Sequence, residues 1–153
     1  MEFYVSKDRF NNTRILYLKE EMSLYLSNNQ VDCSLAINNL YLTIDFNIYN
    51  KSVMGISGFL SDINSFNNKH LEIPNIYDEG VLYFVDNKIY EKGIAYEFYM
   101  NENIVYDKEN NILLIGEDSF NKNISFYKVA ENMFVGLYDK KISTIMVDLN
   151  EKK

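Results

Sequence analysis

Residues 40–49 alternate strictly between two kinds of side chain. Leu40, Leu42, Ile44, Phe46 and Ile48 interleave with Tyr41, Thr43, Asp45, Asn47 and Tyr49. Successive side chains of a strand leave the pleat on opposite faces, so this period of two predicts a half-buried β-strand. Asn50-Lys51-Ser52 breaks the run, and residues 53–60 resume it. An antiparallel hairpin results, with an apolar face that needs cover. Within its second arm, Gly55-Ile56-Ser57-Gly58 predicts a bulge or kink, because a glycine inside a strand marks one or a close backbone approach. None of these residues carries chemistry.

The rest of the chain downstream repeats this grammar. Asp78-Glu79-Gly80 is a turn signal ahead of a short strand over 81–85, and residues 94–100 form another. Residues 104–106 and 112–116 flank a polar turn; so do 129–138 and 142–149. In the last strand, Ser143, Ile145, Val147 and Leu149 are the set expected to face inward. Residues 61–70 read as a loop or a short helical turn. Pro74 suits an edge or a connection rather than a central strand. Turn signals about every 10 to 14 residues favour an antiparallel meander over βαβ units.

Residues 13–28 are the one helix candidate. Ile15, Leu18, Met22, Tyr25 and Leu26 fall in a stripe about 100° wide at helical spacing. Asn11, Asn12 and Thr13 offer N-caps, while Asn28 and Asn29 tolerate a left-handed end. Phe10, Tyr17 and Leu24 recur at seven-residue spacing on the other side of the same cylinder. They are either covered by the chain itself or an aromatic stripe that meets a partner. The expected fold is therefore α+β: one domain over residues 1–153, with a helix over 13–28 packed on a mostly antiparallel sheet over 31–149, of about seven or eight strands.

Composition narrows the function classes. The net charge of −7 argues against nucleic acid, whose phosphates need clustered Lys and Arg. It suits a basic partner. No run approaches the ~20 apolar residues of a membrane span. Glu2, Lys7, Asp8 and Arg9 interrupt any signal-peptide core, which predicts a cytoplasmic protein. Trp is absent, Pro appears once, and Lys outnumbers Arg 13 to 2, the accent of an AT-rich bacterial genome.

Catalytic and metal patterns do not assemble. His70 is the single histidine and sits beside Lys69 with no nucleophile or orienting group in its pattern. Cys33 lies between Asp32 and Ser34, where an acidic neighbour raises a thiol pKa. It reads as a small buried or half-buried residue. The adjacent carboxylates Glu20-Glu21, Asp78-Glu79 and Glu117-Asp118 lack calcium-loop spacing. The glycines form no phosphate fingerprint. No cofactor, no metal and no enzymatic activity are expected.

Six segments carry a resemblance: NNLYLTIDFNIYNKSVMGISGF, HLEIP, GVLYF, KGIAYEF, NIVYDKENNILLIGE and VGLYDKKISTIMVDL, in that order. The chain over about residues 31–149 resembles a group of small uncharacterised bacterial proteins of immunity type, the partners of polymorphic or contact-delivered toxins. That likeness implies a non-enzymatic antitoxin that binds and occludes a cognate toxin, a protein partner whose toxin domain would be basic. A cytoplasmic binding module for another protein or a small ligand is the alternative. The partner-binding candidates are the turn acids Asp78, Glu79, Glu117 and Asp118, and the stripe Phe10, Tyr17 and Leu24.

Overall fold

The computed structural model describes residues 1–10, 12–28, 31–119 and 123–150. Alternation dictates strands, and strands are nearly all that forms. Among the described residues these are β1 (Glu2–Ser6), β2 (Ile15–Leu18), β3 (Ser23–Leu26), β4 (Cys33–Ile37), β5 (Tyr41–Phe46), β6 (Val53–Phe59) and β7 (Asp78–Glu79). They continue as β8 (Val81–Val85), β9 (Ala95–Phe98), β10 (Ile104–Asp107), β11 (Ile112–Gly116), β12 (Ser125–Ala130), β13 (Met133–Tyr138) and β14 (Lys141–Asp148). The only helical element among them is a 3-10 turn at Ile63–Ser65, capped by the Asp62 side chain. Among the described residues no helix is long and apolar enough to cross a membrane.

Three sheets arise. The first runs β2-β3-β6-β5-β4-β9, the second β10-β11-β14-β13-β12-β7, and β1 pairs with β8 as a ribbon. The hairpin read from residues 40–60 is the centre of the first sheet, with Ile44 opposite Ile56 and Thr43 opposite Ser57. Its register shifts between Asp45 and Phe46, so Met54 is the extra residue of a bulge. Most pairings are antiparallel, but β9 joins β4 and β7 joins β12 in parallel. The sheets are therefore not a simple meander.

One apolar cluster draws on all three sheets. Leu35, Leu42, Ile44, Phe46 and Ile56 of the first meet Leu113, Ile115, Val135, Ile145 and Val147 of the second, with Phe3 and Phe84 from the ribbon. A second, smaller cluster lies on the other side of the second sheet: Leu71, Val105, Ile112, Leu114, Phe134 and Met146. Both faces of that sheet are covered, which is why β11 is buried along its whole length. A strand buried on both faces reads as a continuous apolar run, as Ile112-Leu113-Leu114-Ile115 does.

The expected α+β fold, a helix over 13–28 packed on one sheet of about seven or eight strands, is overturned: the described residues are all-β, with fourteen strands in three sheets, and that segment is the β2–β3 hairpin. Ile15, Leu24 and Leu26 are buried, and Leu16, Leu18 and Tyr25 are exposed. The apolar residues chosen at helical spacing therefore divide between two faces of a sheet. Lys19, Glu20 and Glu21 carry the turn: Glu21 N donates to Leu18 O (3.2 Å) and Met22 N to Lys19 O (3.2 Å). Met22 adopts φ 50° there. On each side of it, Ile15 and Tyr17, then Leu24 and Leu26, keep a period of two that the longer helical window obscures. The hairpin's underside fits over Gly55, where a Cβ would stand 2.7 Å from Leu26 Cδ2. Asn11 and Asn29, named as helix-end residues, lie outside the described residues.

The last strand departs from its expected phase as well. Gly136 pairs with Thr144 but Leu137 pairs with Ile142, leaving Ser143 as an extra residue. The bulge turns Ile142 inward beside Ile145 and Val147. Met146, from the opposite set, is buried in the second cluster.

Candidate partner-binding groove

Between the 3-10 turn and β7 the chain crosses the outer face of the second sheet as a strap over residues 67–77. The start of the strap is tied by polar contacts. Tyr106 N donates to Asn67 O (3.0 Å), Lys108 N to Asn68 Oδ1 (3.2 Å), and Leu71 N to Asp107 Oδ2 (2.8 Å). Leu71 and Ile73 then cover the second cluster. Pro74 has no N–H to offer a ladder, which keeps this segment a strap rather than a strand. Its far end is held by the Tyr77 ring, edge-on to Phe134 at 5.1 Å, and by β7 joining β12.

Asp107 is the pivot of the near end. Its side chain is almost fully buried. Besides Leu71 N it accepts Asn110 Nδ2 (2.8 Å) and, through Oδ1, the Glu109 and Asn110 amides (3.1 Å each). Burial pushes this carboxyl up, but the bonds from Leu71 and Asn110, with His70 nearby, outweigh it and hold the carboxyl below its ordinary range. His70 Nδ1 lies 3.6 Å from Asp107 Oδ2, and its Nε2 lies 3.3 Å from Glu72 Oε1. His70 thus serves the strap's anchorage.

Two adjoining clefts follow the strap. One, of about 530 Å³, is lined by Tyr77, Asp78, Ser125 and Tyr127. The other, of about 460 Å³, is lined by Glu72, Ile73, Asp118 and Met146. They share Pro74, Asn75 and Phe126, which makes one groove with an apolar floor and acids along it. Two of the four turn acids named from sequence line this groove, Asp78 in the first cleft and Asp118 in the second. Asp78 is exposed, and Asp118 is held 3.2 Å from Lys69 Nζ.

The other two go elsewhere. Glu79 is exposed on β7, beside Lys128 in register, and lines neither cleft. Glu117 accepts Asn101 Nδ2 (2.8 Å) and lines a separate cleft with Tyr138 and Lys141. Glu72 and Phe126 had no signal in the sequence; only the strap's path brings them to Asp118.

The Phe10, Tyr17 and Leu24 stripe is not the face of a helix: Tyr17 and Leu24 stand opposite each other across the β2–β3 hairpin. Leu24 is a core residue, 1% exposed. Tyr17 is half-buried; its hydroxyl donates to Ser61 O (2.9 Å) and accepts from Ile63 N (3.2 Å). Phe10 lies beneath Lys128 Nζ at 5.3 Å.

Two other groups have chemical potential and are committed. Burial pushes the Cys33 thiol up, and its Sγ donates to Glu91 O (3.1 Å) and Ile94 O (3.2 Å). Asp45, on the first sheet, is also raised by burial. It accepts Ser34 Oγ (2.8 Å), Thr43 Oγ1 (2.7 Å) and Ser57 Oγ (2.5 Å). No protein-family model matches the chain, and the curated proteins compared with it give no significant match.

Proposed function

We propose that the chain is a non-enzymatic binding protein, an antitoxin of immunity type that occludes a basic toxin domain, and that the acid-lined groove beside the strap meets that partner. The observation that carries the reading is the convergence of Asp78 and Asp118 on one groove from turns distant in sequence. Glu72 adds a third carboxylate over a floor containing Phe126 and Met146. Apolar surface at the centre with charge around it is the anatomy of a protein interface. Behind the groove lies a sheet packed on both faces, so its geometry is fixed before the partner arrives. Preorganisation of this kind lowers the cost of binding.

An inhibitor that must act as its target appears benefits from fast association, and complementary charge raises association rates about 10- to 1000-fold. The test begins with the complex recovered from native cells and continues with the purified partner. Association is expected to be fast, to slow as salt rises, and to abolish the partner's activity at one-to-one stoichiometry. A partner that retains full activity when saturated, or that associates at a salt-independent rate, overturns the reading.

A further inference from the structure

We infer that the cleft between the β5–β6 turn and the segment following β8 is a binding site for a small organic anion. Four other surface clefts each carry at least one carboxylate in their lining. This one, of about 520 Å³, carries Lys51, Lys88 and Lys92 and none. In a chain of net charge −7, three ammonium groups line this one concavity, and clefts lined by one sign of charge concentrate ligands of the other.

The floor of the site is prearranged. Lys51 adopts φ 56°, and its backbone is tied on both sides, N to Asn47 O (2.8 Å) and O to Phe84 N (3.3 Å). Its Nζ lies 3.2 Å from Asp86 Oδ1 and 5.3 Å from the centre of the Tyr90 ring. The Tyr90 hydroxyl donates to the other Asp86 oxygen. Asp86, paired with Lys51, does not line the cleft, nor do Glu91 or Asp32, whose Oδ2 accepts the amide of the lining residue Ile48 (3.3 Å). With Lys51 neutralised by Asp86, the charge open to a ligand is that of Lys88 and Lys92, both exposed.

The walls say what the anion is attached to. Tyr49 is 80% exposed and Ile89 is 90% exposed, and both line this cleft. Lys92 Nζ already sits 5.4 Å over the Tyr49 ring. A flat or apolar body laid against Tyr49 and Ile89 would bury surface that is otherwise in water, with its anionic group between the two lysines. A long polyanion is disfavoured by the carboxylates elsewhere on the molecule. The ligand class is therefore a small molecule with a phosphate or carboxylate on an aromatic or aliphatic frame.

The test is an NMR titration of the full chain with adenosine monophosphate, inorganic phosphate and adenosine as probes. The nucleotide is expected to shift the amides of residues 48–51 and 88–92 saturably, and to bind at least about tenfold more tightly than either fragment. Lys88→Ala with Lys92→Ala is expected to weaken it about tenfold or more without changing the thermal midpoint. Tyr49→Ala should reduce binding of the nucleotide but leave that of phosphate alone. Absence of saturable shifts at millimolar nucleotide, shifts centred elsewhere, equal affinity for phosphate and nucleotide, or indifference to the lysine pair would each overturn the site.

Discussion

The side-chain amide of Asn132 pairs with the backbone of Ile15 as a neighbouring strand would: Ile15 N donates to Oδ1 (2.8 Å) and Nδ2 donates to Ile15 O (2.8 Å). The same Nδ2 donates to Asp148 O (2.8 Å), and Glu131 N donates to Thr13 O (3.0 Å). One buried asparagine thus closes part of the open edge of β2 and ties the first sheet to the second. Unpaired strand edges template aggregation, and covering them is a recurrent defence. Asn132→Ala strands a buried N–H and two carbonyls, so a loss of about 1–3 kcal/mol in urea unfolding is expected. Asn132→Asp should cost more, since a carboxylate would face two carbonyl oxygens. An aspartate variant more stable than the alanine variant would refute this account.

Phe46 is fully buried, edge-on to Phe84 at 4.9 Å and to Tyr90 at 5.3 Å. It is where the central hairpin meets the ribbon. Phe46→Ala should cost about 3–5 kcal/mol, from lost transfer free energy and the cavity left behind. An unchanged urea midpoint would place Phe46 outside the core.

The strands at 40–46 and 112–116 were legible because each pattern has a single explanation. Alternation with Asp45 and Thr43 on one side marks the first, and the polar turn over 107–111 marks the second; that Ile112–Gly116 is buried along its whole length is seen only in the fold. The segment 13–28 was not legible in the same way, since Ile15, Leu18, Met22 and Leu26 satisfy a helical stripe while Ile15, Tyr17, Leu24 and Leu26 satisfy two short strands. The strand form packs Leu26 against Gly55, far away in sequence, whose missing Cβ leaves it room. The groove was half legible. Exposed turn acids can be named from sequence, but that Asp78 and Asp118 line adjoining clefts while Glu117 lines a separate one depends on the strap's route over the second sheet.

Asp45 gives the fold a pH dependence opposite to that of carboxylates whose pKa is lowered by their partners. Burial raises it above the ordinary 3.8, against three hydroxyl bonds that lower it. The native state then binds this proton more tightly than the unfolded state does, so the penalty is present at neutral pH and relieved as pH falls through the raised value. Asp45→Asn keeps the hydrogen-bonding shape and removes the titration. The melting temperature of the variant relative to the natural chain should be higher at pH 7 than at pH 4. A difference that grows on acidification would show the sign to be wrong.

Asp107 works in the usual direction. Its carboxyl is held below the ordinary 3.8, so its contribution is present above that value and lost as pH falls through the lowered one. Asp107→Ala leaves Leu71 N without its acceptor and should free the near end of the strap. Limited proteolysis within residues 70–77 is expected to accelerate at pH 7, and the stability gap from the natural chain to close below pH 3.8. Equal cleavage rates at neutral pH would mean that apolar contact alone holds the strap.

The last prediction divides the four turn acids by where the fold sends them. Asp78 and Asp118 line the groove; Glu79 and Glu117 do not. If the groove steers a basic partner, Asp78→Lys with Asp118→Lys should slow association about tenfold or more and flatten its dependence on salt. Glu79→Lys with Glu117→Lys changes the net charge equally, so it controls for the field of the whole molecule. Its association rate should fall only by the smaller amount a global change in charge brings. All four positions are on the surface or partly so, where substitutions change stability by about 0.5 kcal/mol or less. If both pairs slow association alike, long-range charge is sufficient and the groove has no special part. If neither does, the partner docks elsewhere. The leading surface is then the open face of the first sheet, where Leu18, Ser23, Phe59 and Tyr41 stand in one row across four strands. Phe59→Ser with Tyr41→Ser would then be the pair that weakens the complex.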